Sequence, residues 1–262
     1  MMNIIDFENI HVSYDDKIIL KEINLKIEDN QHWVILGSNG SGKSTLIKLI
    51  SSQLHPRQNY PHKKLILGKE RYSLFDLRKA MGIITNDLHN YFYDQGNFLT
   101  GYEVVLCGYY SSIGVFKHQD FTKEQYDKAN EILEYLDIVD LKDKIVSKMS
   151  TGQLRKCIIG RALIHEPKAF ILDEPTVGLD IKAQLNFISL LRKLSKKATI
   201  ILVTHHIEEI FDEVTHVALI KDQTIYKQGL KKDIINSENI SDTFGIKLKI
   251  ASSKDRYFIQ EA

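Results

Sequence analysis

Two spacings of apolar residues divide this 262-residue chain. Across residues 3–30 apolar and polar positions alternate, with Ile10, Val12 and Tyr14 in one run and Ile23, Leu25 and Ile27 in another. A period of two sends successive side chains to opposite faces of a strand, so the region reads as β-structure, with Asp15-Asp16 as a turn. Residues 61–67 offer another strand, and 80–84 a buried one. Ala169-Phe170-Ile171-Leu172 and Thr199-Ile200-Ile201-Leu202-Val203 are continuously apolar. Such runs suit strands covered on both faces of a parallel sheet.

Helical spacing takes over between these groups. Thr100-Gly101-Tyr102-Glu103 is a capping-box pattern before Val104-Val105-Leu106, and Thr122-Lys123-Glu124-Gln125 is a second. Behind the second, Tyr126, Ala129, Ile132, Leu133 and Leu136 recur every three or four residues. Residues 87–165 are therefore expected to form a mostly helical insertion. Residues 182–196, with Leu185, Ile188 and Leu191, read as a helix between two strands. Residues 214–220 and 223–227 suggest a closing hairpin. Residues 241–262 are polar with scattered aromatics, and the pattern assigns them no role.

The junction after Trp33-Val34-Ile35-Leu36 carries the first chemistry. Gly37, Ser38, Asn39, Gly40, Ser41, Gly42, Lys43, Ser44 and Thr45 fill every fixed position of the phosphate-cradling pattern G-x-x-x-x-G-K-[ST]. Leu46 to Ile50 continues as a helix. A strand, a glycine-rich loop and a helix N-terminus together present backbone N–H groups to phosphates. Lys43 can reach phosphate oxygens and the Ser44 hydroxyl can take Mg²⁺. Strand–helix–strand alternation around this loop predicts an α/β P-loop NTPase core.

Two further segments gain meaning beside it. Asp173-Glu174 ends an apolar strand, where one acid can hold Mg²⁺ and the other can polarise water. Ser150-Thr151-Gly152-Gln153-Leu154 opens a helix whose N-terminus can face a phosphate, or can be a plain N-cap. Taken singly, Tyr14 reads as a strand aromatic, His205 as a hydrogen-bonded strand-end histidine and Asp180 as a helix cap.

Composition narrows the class. At 43% hydrophobic and 26% charged residues the chain is that of an ordinary globular protein. A net charge of +1 gives no nucleic-acid footprint. No apolar run approaches the ~20 residues of a membrane span. Met1–Asp6 lacks a basic and apolar leader pattern, and Cys107 and Cys157 stand far apart, so a cytoplasmic protein with two reduced thiols is expected.

In this order the motifs resemble the ATP-binding cassette (ABC) ATPases, and specifically the nucleotide-binding subunit of an ABC transporter. The resemblance covers residues 3 to about 230. It implies residues 1–235 as the ATPase domain, built of a RecA-like core with an antiparallel β-subdomain (1–86 and 166–235) and the helical insertion (87–165). Residues 236–262 are left as an extension. It implies Tyr14 stacking on adenine, residues 37–45 as the Walker A loop, Met149-Ser150-Thr151-Gly152-Gln153 as the signature, and Asp173 as a Mg²⁺ ligand. Glu174 becomes the catalytic base, Asp180 the D-loop acid, and His205 the switch histidine. Catalysis falls to Lys43, Glu174 and His205; ATP and Mg²⁺ are the implied cofactors.

Two departures stand out. Asn86 occupies the place of the family's glutamine, which implies a shorter amide toward the nucleotide or Mg²⁺; Gln95 lies too far past the strand. Thr151 replaces the first signature glycine, while Ser150, Gly152 and Gln153 remain. The resemblance also implies a second nucleotide-binding subunit, separate transmembrane permease subunits docking on the helical insertion, and a place on the inner face of the membrane. A soluble, non-transport ATPase of the same family is the alternative, and a nucleotide sensor without turnover a third.

Overall fold

The computed structural model describes residues 2–15, 17–253 and 256–261. Asp16, half of the turn expected at Asp15-Asp16, lies outside the described residues. Strands β1 (Asn3–Tyr14) and β2 (Lys17–Glu28) pair antiparallel. After β3 (Trp33–Gly37) and helix α1 (Lys43–Ile50), strand β4 (Lys63–Ile66) returns to the other edge of β1. The order of this sheet is β2-β1-β4. β2 alternates, burying Ile23, Leu25 and Ile27, whereas β1, paired on both edges, is buried continuously over 4–7 and 10–12.

Helix α2 (Leu74–Ala80) leads into β5 (Met81–Ile84). Then come α3 (Asn86–Gln95), α4 (Gly101–Leu106), α5 (Lys123–Tyr135) and α6 (Thr151–Leu163), the expected helical stretch. The capping boxes at Thr100/Glu103 and Thr122/Gln125 both form, satisfying otherwise unpaired N–H groups at the starts of α4 and α5. On α5 the buried residues are Ala129, Ile132 and Leu133, while Tyr126 is exposed.

The chain then alternates β6 (Ala169–Asp173), α7 (Ile181–Ser195), β7 (Thr199–Thr204), β8 (His216–Lys221) and β9 (Thr224–Leu230). These strands join β3 and β5 in a six-stranded sheet, order β5-β6-β7-β3-β8-β9. All neighbours are parallel except β8 and β9, the expected closing hairpin. The continuous apolar runs are explained by packing on both faces. Val34, Leu36, Phe170, Leu172 and Leu202 join the core under the helical stretch. Trp33, Ile35, Ile171, Ile201 and Val203 join the core shared with α1 and the first sheet.

Two elements differ from the sequence pattern. On α7 the buried stripe is Phe187, Leu190, Leu191 and Leu194, so Leu185 is left exposed and Ile188 partly buried. Beyond the short α8 (Lys231–Ile234), residues that the pattern left unassigned form α9 (Ser237–Phe244) and a hairpin of β10 (Leu248–Ser253) with β11 (Arg256–Glu261). Among the described residues of this hairpin, Leu248, Ile250 and Tyr257 pack on the core, and a strand pair covered on one side at so few points reads as polar.

Candidate active site

Strands β3, β7 and β6 are neighbours that end at one edge of the sheet. β3 pairs with β7 up to Leu36↔Thr204, and β7 with β6 up to Val203↔Asp173. Their C-terminal ends therefore deliver the glycine-rich loop, His205 and the Asp173-Glu174 pair side by side. Carboxyl ends of parallel strands are where open α/β sheets bind ligands.

The loop's glycines answer to geometry. Gly42 has φ 107°, and a Cβ there would lie 2.5 Å from Leu20 Cδ2. At Gly37 a Cβ would come within 2.6 Å of the Ile220 carbonyl oxygen. The loop thus passes against β8 and the start of β2 before α1 begins. Gly42 gives α1 no side-chain cap, and the buried Ser41 Oγ has no hydrogen-bond partner among the described residues. Ser38 is half-buried and Asn39, Gly40 and Ser44 are exposed, whereas Thr45 is buried. Open N–H groups, an orphaned hydroxyl and a positive helix end make a cradle that fits phosphate.

Lys43 is 5% exposed, and its Nζ donates to the Gly37 and Ser38 carbonyls at 2.9 and 3.0 Å. The same Nζ lies 3.8 Å from Glu174 Oε1. Burial lowers the Lys43 pKa, against the opposing pull of Glu174 and Asp173. Burial, then repulsion from Glu174, pushes the Asp173 carboxyl up to about 6, although Lys43 pulls it down. A carboxyl so disfavoured as an anion, close to a second acid, suits a divalent cation. Among the described residues no cluster of three or more His, Cys, Asp or Glu forms a metal cage. Mg²⁺ fits such a site, because it keeps waters and phosphate oxygens beside one or two protein ligands.

Glu174 stands in the left-handed region, φ 46°, with its N–H donating to the Val203 carbonyl at 2.8 Å. This kink turns the side chain toward His205, whose Nδ1 lies 2.7 Å from Glu174 Oε1. An ionised carboxylate only accepts, so Nδ1 carries the proton in this contact. The His206 ring sits 3.9 Å from that of His205. Tyr14 ends β1 with an exposed ring, in register with Lys17 at the start of β2. Because Leu20 of β2 packs on Gly42, this hairpin end stands beside the loop.

The signature segment lies elsewhere. Ser150 caps α6: its Oγ accepts from Gln153 N at 3.3 Å, and Gln153 Oε1 accepts from Ser150 N at 3.0 Å. Gln153 Oε1 also accepts from Lys144 Nζ at 2.9 Å. Asp180 caps α7 by accepting from Ala183 N at 2.8 Å. Ser150, Gly152 and Asp180 line one concavity that includes no residue of the glycine-rich loop. Asn86 is the first residue of α3, and its Oδ1 accepts from Arg155 Nη2 at 3.0 Å. Sequence reasoning missed Arg155, although a charged residue on the apolar face of α6, one turn before Ile158 and Ile159, was the available signal.

Comparison with known proteins agrees with this architecture. The family described as ABC transporter matches residues 20–177. An ABC transporter ATP-binding protein of Streptococcus mutans is 32% identical, with 99% of both chains covered. The zinc uptake system ATP-binding protein ZurA of Listeria innocua is 32% identical over 86% of each chain. Among solved structures, cbiO1 of Clostridium perfringens, part of the ABC transporter complex cbiONQ, superposes with a TM-score of 0.76. It is 29% identical, and 92% of this chain and 94% of that one are covered.

Proposed function

The chain is an ATPase of the ABC transporter family, and from that premise we propose how its residues divide the work. The observation that carries the reading is the meeting of Lys43, at the start of α1, with Glu174 and His205, at adjoining strand ends next to Asp173. Residues 37–45 hold the triphosphate of ATP, with Lys43 turning from its loop carbonyls to the phosphate oxygens. Ser44 and Asp173 hold Mg²⁺, which would neutralise phosphate charge. Glu174 takes a proton from the attacking water, and His205, hydrogen-bonded to it, fixes its orientation and reaches the terminal phosphate. Tyr14 stacks on the adenine.

Further phosphate contacts would come from a second nucleotide-binding subunit. Ser150 and Gly152 open α6 away from the chain's own loop, so they serve a nucleotide held by the partner, with Asp180 and Gln153 beside them. In this reading 1–86 and 166–235 form the core and β-subdomain, 87–165 the helical insertion and 236–262 an appended piece. Among the described residues no helix is long and apolar enough to cross a membrane. Separate permease subunits would dock in the groove of about 370 Å³ lined by Leu74, Arg78, Leu88, Tyr91 and Ile113, holding the chain on the cytoplasmic face. Exposed Tyr91 and Phe98 suit such a partner.

Mixing two disabled chains tests the shared site. Lys43→Ala removes the phosphate clamp and Gly152→Asp places a charge at the α6 N-terminus. Each alone should be inactive, and the mixture should regain turnover from the one intact composite site. Mixed dimers that stay inactive would contradict the arrangement.

A further inference from the structure

Arg155 is 3% exposed, yet it takes no part in the phosphate chemistry just described. A buried guanidinium is costly unless its N–H groups are paired. Nη1 donates to the Pro175 carbonyl and, at 3.1 Å, to the Val177 carbonyl; Nη2 donates to Asn86 Oδ1 at 3.0 Å. One side chain of α6 therefore joins the start of α3 to the turn that leaves Glu174 and runs toward Asp180. Between the two carbonyls, the Thr176 hydroxyl donates to the carboxylate of Glu209, which is 4% exposed and follows the switch histidine segment. Glu209 is also the charge that opposes Arg155 inside the protein.

We propose that Arg155 is a positioning residue, clamping Asn86 to the 175–177 turn so that displacement of α3 shifts the segment between Glu174 and Asp180. The inference rests on the proposed function, and it changes the part given to Asn86. Its amide oxygen faces the guanidinium, so it acts on hydrolysis through Arg155 and not as a metal ligand. The planar fork is what allows this: two turn carbonyls take one nitrogen and the amide takes the other, a geometry an ammonium cannot copy.

The test uses the full chain carrying Asn86→Ala, Arg155→Lys or both. Hydrogen exchange is read at the amides of Val177 and Leu179, which donate to Glu174 and Thr176 carbonyls. Either single change should speed this exchange about tenfold, and the pair should add nothing to Arg155→Lys. ATPase kcat should fall while KM for ATP stays within about twofold, and the Mg²⁺ concentration for half-maximal rate should not move in Asn86→Ala. Unchanged exchange at 177–179 in Asn86→Ala, additive effects in the pair, or a several-fold rise in the Mg²⁺ requirement would overturn the clamp. Asn86→Ala leaves the buried charge in place and so reports even if Arg155→Lys folds poorly. Absence of Glu174-dependent turnover in the wild type would instead sink the proposed function, and the exchange readings would still judge the clamp.

Discussion

Glu174 Oε1 receives the Nδ1 proton of His205 at 2.7 Å while standing 3.8 Å from Lys43 Nζ. Glu174 and His205 directly follow β6 and β7, and Lys43 opens α1 after the loop that leaves β3, so three adjacent strands bring the side chains together. The left-handed backbone at Glu174 is the local cost of aiming its carboxylate into that group. Strain kept at such a place is consistent with a residue held ready for chemistry.

Replacing Gly42 by alanine should damage the loop more than the same change at Gly40. Both have positive φ, 107° and 79°, but a Cβ at Gly42 would also strike Leu20, whereas Gly40 faces open space. Gly42→Ala should lower stability by roughly 1–3 kcal/mol and abolish nucleotide binding. Thermal melts and fluorescence titration with ATP make the comparison. Equal melting points for the two variants would show that the loop yields at Gly42.

Tyr14→Ala should weaken ATP by roughly 1–2 kcal/mol, the range of aromatic–base stacking. Tripolyphosphate, which lacks a base, should bind both proteins alike. Calorimetric titration with each ligand measures the difference. An equal loss for both ligands would make Tyr14 a structural residue.

Lys64 gives a pH signature away from the site. Burial pulls its pKa down to about 8, and its Nζ donates to Ser52 Oγ at 3.3 Å. Below pH 8 the lysine is charged in both folded and unfolded chains, and folding carries the desolvation cost. Between about 8 and 10.5 the unfolded chain binds the extra proton, so stability rises with pH. Lys64→Met should therefore melt higher than wild type at pH 7, with the gap closing as pH rises through that window. A gap independent of pH would show that Lys64 keeps its hydration.

The sequence made some of this legible and hid the rest for physical reasons. The loop from Gly37 to Thr45 could be read because phosphate binding fixes residue types at fixed spacing. Strand ends at Asp173 and Thr204 followed from apolar runs that only a doubly covered sheet needs. The Arg155–Asn86 contact joins residues 69 apart, and no local pattern encodes such a pairing. Gln153 and Asp180 show another limit. Each is committed to a helix cap in the folded chain, so a role toward a partner's nucleotide has to coexist with that bond. The α9–β10–β11 segment was hidden because two of the three buried residues of α9, Asn239 and Thr243, are polar, and the hairpin after it is mostly uncovered.

Steady-state ATPase of Glu174→Gln against wild type tests the central claim, that this chain hydrolyses ATP with Glu174 as the base. The amide keeps the shape of the side chain and its reach to His205 but cannot take a proton from water. Turnover should fall by ~10²-fold or more while ATP affinity is retained, and the variant should accumulate as an ATP-bound dimer on size-exclusion chromatography with Mg-ATP. Turnover within a few-fold of wild type, at equal ATP occupancy, would contradict the assignment.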